Sequence, residues 1–258
     1  MNPDLPILEF DPDPEAILSP QVEALKGKLP ARAVMCFFQD VLQDLLAQGK
    51  LNMVGQLRSE IGMNPIYTMQ VDGTALTILH AGDGASLAAS FLDDLIAAGV
   101  QQVVACGGCG SLVEDISAGH VLIPLSAVRD EGTSYHYLPP SRECSPSPVL
   151  VKAIEETLKD AGVPFIHVKT WTTDAVYRET AGKRKKRIAE GCQVVEMEAS
   201  ALFAVAAFRR AEVGMLLYAG DLVVPEGWQE REWNQRSDSR ELLFDLAVQT
   251  CLKLEKRE

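Results

Sequence analysis

From residue 31 onward the chain alternates short apolar runs with segments whose apolar positions recur every three or four residues, and that alternation admits few folds. "ARAVMCFF" reads as a strand and "QDVLQDLLAQG" as the helix after it, with Val41, Leu42, Leu45 and Leu46 on one face and Gly49 as a stop. "IYTMQVDGTALTILH" reads as a hairpin turning at Asp72 and Gly73. "GDGASLAASFLDDLIAAG" is a glycine turn opening a helix, and "VQQVVACGGCGS" a short buried strand that breaks into a glycine-rich turn. "HVLIPLSAV" is a strand, and "SPVLVKAIEETLKDAGV" a helix that starts after Ser147 and Pro148 and stops at Gly162. "FIHVKTWTT" reads as a strand, "CQVVEME" as a strand running into the helix "ASALFAVAAFRR", and "VGMLLYAGD" as a late buried strand. "SRELLFDLAVQTCLKLEKR" closes the chain as an amphipathic helix. This order predicts an α/β fold: a single domain, 31–258, with a mixed central β-sheet covered by helices on both faces. Residues 1–30, rich in proline and acids, read as an N-terminal arm on its surface.

A chain of 258 residues, 47% hydrophobic and 23% charged, can bury a sizeable core. Its formal charge of -12 repels polyphosphates, which excludes a nucleic-acid polymer as the expected partner. No apolar run is long enough to cross a bilayer, and "MNPDLPILEFDPDPEAILSP" lacks the basic-then-apolar pattern of a secretory signal. The expectation is a cytoplasmic protein without a membrane partner. The six cysteines are scattered and read as free thiols. "CGGC" at 106–109 has neither a second pair nor a nearby histidine, and the four histidines are widely spaced, so no metal site and no cofactor are expected.

In folds of this class ligands collect beyond the C-terminal ends of strands, which points to the loops "HAGDG", "CGGCGS", "EMEAS" and "YAGD". Each glycine turn by itself reads as structural. The acids say more: Glu196 and Glu198 interrupt the apolar run "QVVEMEASALFAVAAF", and a buried carboxylate without a partner costs several kcal/mol or becomes neutral. A lone glutamate there would be a helix cap or half of an ion pair. Two acids flanking Met197 favour a ligand, because a carboxylate accepting from two adjacent hydroxyls is how a protein grips a ribose diol. Asp221, closing "GMLLYAG", is either a turn aspartate or a general acid. "KRKKR" at 183–187 reads as a solvated helix face, and His80 and His167 as strand residues with satisfied side chains. "GTSYHYLPPS" is equally readable as a loop over the site or a plain surface loop.

Three segments in this order, "ACGGCGSLVEDISAGHVLIP", "TTDAVYRE" and "VVEMEASAL", resemble the nucleoside phosphorylase type I superfamily. That superfamily includes purine nucleoside phosphorylases, uridine phosphorylases and the methylthioadenosine/S-adenosylhomocysteine nucleosidases. The resemblance runs from about Val34 to Asp221 and into the last helix. It implies that Glu198 binds the ribose 2′ and 3′ hydroxyls with Met197 under the sugar, and that Cys109, Gly110, Val176, Val195 and Glu196 line the base pocket. It places the catalytic Asp221 beside N7 of a purine, and Gly82, Gly84, Gly108 and Asp40 on the phosphate or water side. It also implies a homo-oligomer, a dimer or a hexamer, with sites near a subunit interface.

The departures concern the group that attacks the sugar. Family phosphorylases hold phosphate with a G-D-P-x-R loop after the first strand, an arginine before the glycine turn and an arginine from the neighbouring subunit. Here the first loop is "CFFQDVL", Ala105 stands where the second arginine is expected, no clear third lies near Gly62, and Val176 replaces the phenylalanine that stacks on the base. Three readings follow. The first is a purine-type nucleoside phosphorylase with phosphate as co-substrate, using Arg129, Arg142 or Arg178 instead. The second is an N-ribosyl hydrolase with Asp40 or Glu196 orienting water, and the third a nucleoside-binding protein without turnover.

Overall fold

The computed structural model describes residues 5–255. In chain order the elements are β1 Arg32–Cys36, α1 Gln39–Ala47, β2 Asn52–Ser59, β3 Gly62–Val71, β4 Thr74–His80, α2 Ala85–Ala97, β5 Gln102–Ser111 and β6 Val121–Asp130. They continue with β7 Glu143–Cys144, α3 Pro148–Asp160, β8 Phe165–Thr173, α4 Ala181–Ala189, β9 Cys192–Glu196, α5 Ala199–Arg209, β10 Glu212–Val224, β11 Gly227–Gln229 and α6 Ser237–Lys253. Short 3-10 turns lie at Thr133–His136 and Val176–Arg178.

The strands form one mixed sheet in the order β11-β10-β6-β8-β9-β5-β1-β4-β3-β2, with β7 on β6 and a further pairing of β10 with β5. That further pairing closes β5, β10, β6, β8 and β9 into a ring, and β1, β4, β3 and β2 extend from it as an open wing. The expected mixed sheet is present, curled so that one end is a barrel.

Strand alternation sorts side chains into two cores. Ala33 and Met35 of β1, Val103 and Ala105 of β5, and Val213, Met215 and Leu217 of β10 pack with the buried faces of α2 and α5. Val34, Cys36, Val104, Cys106, Leu216 and Tyr218 point the other way, against α1, α3 and α6. A strand buried on both faces reads as a continuous apolar run, which is why these strands were visible in the sequence. Helix α5 is buried from Ala199 to Ala206. A third, smaller core gathers around Trp171, with Leu112, Val128, Cys192 and Val195, and Ile188 of α4 packs against it.

Three expectations change. The glycine-rich stretch at 107–110 is not a turn, because β5 continues through it to Ser111 and pairs with β10 throughout. Residues 52–59, to which no element was assigned, form β2, an edge strand whose side chains are mostly half-buried or exposed and so give little apolar signal. The end of the N-terminal arm is not a free surface segment: Val22, Leu25 and Leu29 are buried in the core under α2, and Leu25 lies over Gly55 of β2.

Trp171 is fully buried and its indole N–H donates to Asp130 Oδ2 at 2.9 Å. Trp171→Ala should cost about 3–5 kcal/mol of stability, measured by chemical denaturation.

Candidate active site

The site follows from a change of partner along β5. One edge of β5 pairs with β10 over its whole length. The other edge pairs with β1 from Gln102 to Cys106 and with β9 only at Gly110 and Ser111. Between them, residues 107–109 have no strand on that side. Here β1 turns away into α1 through Phe37 and Phe38, and β9 arrives with Glu196, Met197 and Glu198. A cavity of about 1110 Å³ opens at this split. Such a parting of neighbouring strands is where ligands bind in open α/β sheets.

The cavity brings together most of the residues singled out in the sequence: Gly82, Gly108, Cys109, Gly110, Val176, Val195, Glu196, Met197, Glu198 and Asp221 all line it. Gly84 and Asp40 do not. Gly84 acts from behind, its backbone N–H donating to Glu198 Oε1 at 2.7 Å. Its φ of +81° suits glycine at the N-cap of α2. Asp40 sits on α1 with half its side chain exposed and pairs with Arg240 of α6 at 2.7 Å.

The two glutamates differ in what they have left to offer. Glu196 accepts four hydrogen bonds from the protein: from the hydroxyls of Thr170 (3.0 Å) and Thr172 (2.6 Å), and from the N–H groups of Glu198 (2.7 Å) and Ala199 (2.6 Å). It has no acceptor capacity left to orient water or to read a base. Glu198 accepts two, from Gly84 and from the Met197 N–H at 3.3 Å, and keeps capacity toward the cavity. Burial first, then the Glu196 charge and Asp83, push its carboxyl up to about 8.

Asp221 lies at a register shift in β10, between Ala219 and Leu222, where a bulge re-aims its side chain. Its Oδ2 accepts from the Trp228 indole N–H at 2.7 Å. A Cβ on Gly110 would stand 3.2 Å from both Asp221 oxygens and 3.1 Å from Val195 Cγ1. A side chain at 110 would therefore crowd the acid. Cys109 is a buried thiol donating to the Tyr218 carbonyl, and burial raises it well above the usual thiol range, so it is not a nucleophile.

None of the three arginines considered for phosphate lines the cavity. Arg129 is buried and spends its guanidinium on Ser134, Ser141 and the carbonyls of Leu138 and Pro139. Arg142 pairs with Glu190. "GTSYHYLPPS" is accordingly neither lid nor idle loop: Ser134 is fully buried, and the turn packs against α5 and α2. "KRKKR" is also more than a solvated face, since Arg187 is buried beside Asp130 and Glu190 and Arg184 lines the cavity, tied to the Val223 and Leu112 carbonyls. His167 meets Glu155 at 2.9 Å. His80 lines the cavity, accepts from the Gly82 N–H through Nδ1, and is lowered chiefly by burial.

Sequence reasoning missed the wall supplied by residues 224–240. Trp228, Trp233, Asn234 and Arg240 line the cavity, and the Tyr218 hydroxyl donates to the Trp233 carbonyl. Two tryptophans in the polar run "PEGWQEREWNQR" were the available signal. Arg240 Nη2 holds Asp40, Nη1 donates to the Asn234 carbonyl, and the guanidinium lies 4.9 Å over the Phe38 ring, while Nε is buried without a partner. Glu179, also missed, lines the cavity beside Val176 and Tyr177. Among the described residues no cluster of His, Cys, Asp and Glu could hold a metal ion, and no helix is long and apolar enough to cross a membrane.

The Phosphorylase superfamily profile matches residues 31–253. A guanosine phosphorylase of Halorubrum lacusprofundi is 30% identical over 182 residues, covering 69% of this chain and 71% of its own. Among solved structures, a uridine phosphorylase of Vibrio fischeri superposes with a TM-score of 0.75 at 21% identity, covering 93% of this chain and all of its own. An AMP nucleosidase of Bacteroides thetaiotaomicron superposes with a TM-score of 0.68 at 22% identity, covering 86% and 87%. At these identities the superpositions speak for the fold.

The protonation of Glu198 gives a stability test. Its folded carboxyl titrates near 8 and its ordinary value is 4.5, so between those values the folded state holds a proton that the unfolded state has lost. Stability contributed by this group therefore falls as pH rises from about 5 to 8. The melting temperature of the protein should drop across that interval, and Glu198→Gln should flatten the drop. A variant that keeps the full slope would remove Glu198 as its source.

Proposed function

The chain belongs to the phosphorylase superfamily, and from that premise we propose that it cleaves the N-glycosidic bond of a purine-type nucleoside and passes the ribosyl group to phosphate. The observation that carries this reading is one cavity lined both by Glu198, with acceptor capacity to spare, and by Asp221 on its bulge. Glu198 takes the ribose diol, with Met197 beneath the sugar. Asp221 stands at the base, across from Val195 and Gly110. As the bond breaks, positive charge grows on the ribose and negative charge on the departing base, so an acid at the base stabilises the transition state more than the ground state.

Arg240 supports phosphate as the acceptor. It lines the cavity over Phe38, on the loop after β1, and has an unsatisfied Nε–H. A guanidinium in that state gains by turning from Asp40 to an incoming oxyanion. A second reading, water as acceptor, draws support from the same inventory: both guanidinium groups lining the cavity are already engaged, Arg184 by two carbonyls and Arg240 by Asp40.

A purine nucleoside panel with and without phosphate, followed by free base and ribose 1-phosphate, separates the readings. Phosphorolysis predicts base release that requires phosphate, and equal release without it would establish hydrolysis. Asp221→Asn should lower kcat by about 10²-fold or more with little loss of nucleoside binding. Arg240→Ala should raise the KM for phosphate by about tenfold, the effect of one charge-assisted hydrogen bond. An unchanged phosphate KM would exclude Arg240 as the anion contact.

A further inference from the structure

We propose that Glu179 is a second acid of this site, working with Asp221 to deliver a proton to the departing base. The inference rests on the function proposed above and adds a residue to it. Glu179 ends the 3-10 turn Val176–Arg178, and both it and Asp221 line the cavity.

The other carboxylates lining the cavity already accept hydrogen bonds from the protein or are solvated. Glu196 is filled by four protein donors, Glu198 is held by two backbone N–H groups, and one oxygen of Asp221 is taken by Trp228. Asp83 is exposed in the turn before α2. Glu179 is half-buried, and its side chain makes no hydrogen bond or ion pair with any described residue. A partly desolvated carboxyl with nothing in the protein to satisfy it is free to serve a ligand.

The groups that share the cavity with Glu179 from neighbouring elements explain its charge state. Arg184 of α4 is spent on two carbonyls, Cys109 of β5 is a neutral buried thiol, and Glu196 of β9 is enclosed by its donors. His80, at the end of β4, is lowered by burial. The charge that Glu179 answers to is Asp221 of β10. Burial first, and then Asp221, push the Glu179 carboxyl up to about 7. A carboxyl whose ionisation is opposed by burial and by a neighbouring acid in the same cavity holds its proton near neutral pH, which is what an acid catalyst needs.

The step balances simply. As the bond from the anomeric carbon to the base nitrogen breaks, its electron pair stays with the base. The proton on Glu179 passes to a ring nitrogen of the base, directly or through Asp221, and the acceptor oxygen bonds to the anomeric carbon. The base leaves neutral, Glu179 is left ionised, and water reprotonates it before the next turnover.

The test is the pH profile of kcat between 5 and 9 for the full chain and for Glu179→Gln. Each is measured on a purine nucleoside and on its 7-methyl counterpart, whose cationic base departs without being protonated. The full chain should lose kcat above about pH 7 on the ordinary nucleoside. E179Q should lack that alkaline limb, fall by about 10²-fold on the ordinary nucleoside below pH 7, and keep most of its rate on the 7-methyl compound. Glu179→Asp, which retains the acid, should keep an alkaline limb. An E179Q enzyme with the limb intact, or one slowed equally on both nucleosides, overturns the second acid while leaving the proposed function standing. A full chain that releases base from neither compound overturns both.

Discussion

The four donors around Glu196 are the interaction on which the rest of the site depends. Thr170 and Thr172 lie two residues apart on β8 and so present their hydroxyls on one face, toward the β9 residues they pair with in parallel register. The other two donors are backbone N–H groups at the entry to α5, where a helix has no internal acceptors to offer. One buried carboxylate thus joins β8, the end of β9 and the start of α5. Thr172 extends the network by accepting from the Ser200 N–H at 3.0 Å, and the Ser200 hydroxyl donates to Glu131 at 2.9 Å. This junction sets Glu198 at the N-cap of α5, where its carboxyl accepts from the Gly84 N–H.

That division of labour sets the charge of the cavity. Five carboxyl groups line it, those of Asp83, Glu179, Glu196, Glu198 and Asp221, against the two guanidinium groups of Arg184 and Arg240. Taken at face value the excess of acid would repel an oxyanion. Burial raises Glu198 to about 8 and Glu179 to about 7, so near neutral pH the first is largely protonated and the second partly so. If both hold their protons, at most three negative charges remain, five less two. The desolvation that prepares an acid for the base also lessens the repulsion met by an anionic acceptor, and both effects weaken as pH rises.

The parts legible in the sequence were those where one segment carries its own signal. The strands buried on both faces read as apolar runs, the helices by their period, and the site acids as charges inside "QVVEMEASALFAVAAF". β2 was hidden because an edge strand exposed along much of its length needs no apolar pattern. Asp40 was placed by analogy with an acid after the first strand. Its partner Arg240 lies two hundred residues away in sequence, and nothing local shows that pairing or that it turns Asp40 out of the cavity. Glu179 and Trp228 were missed for a related reason: each is an ordinary loop residue until the fold brings it beside Asp221.

The glycines of β5 show most plainly why the site stands where it does. At Gly107 a Cβ would meet the Phe37 ring at 2.9 Å, at Gly108 the Tyr218 ring at 3.3 Å, and at Gly110 the Asp221 carboxylate at 3.2 Å. The first contact comes from the loop leaving β1 and the other two from β10. Each wall closes in on the strand backbone because no side chain keeps it away. Such glycine density in a sequence is ordinarily the sign of a turn, where the backbone must change direction. Here the direction of β5 does not change; its partner does, from β1 to β9, and the glycines let both walls close in where the partners separate. The cavity is therefore a property of the strand pairing, and Gly108 enters it as bare backbone beside Cys109. It gives a ligand close approach to a peptide group that has no strand partner on that side, while the acids are carried on the walls.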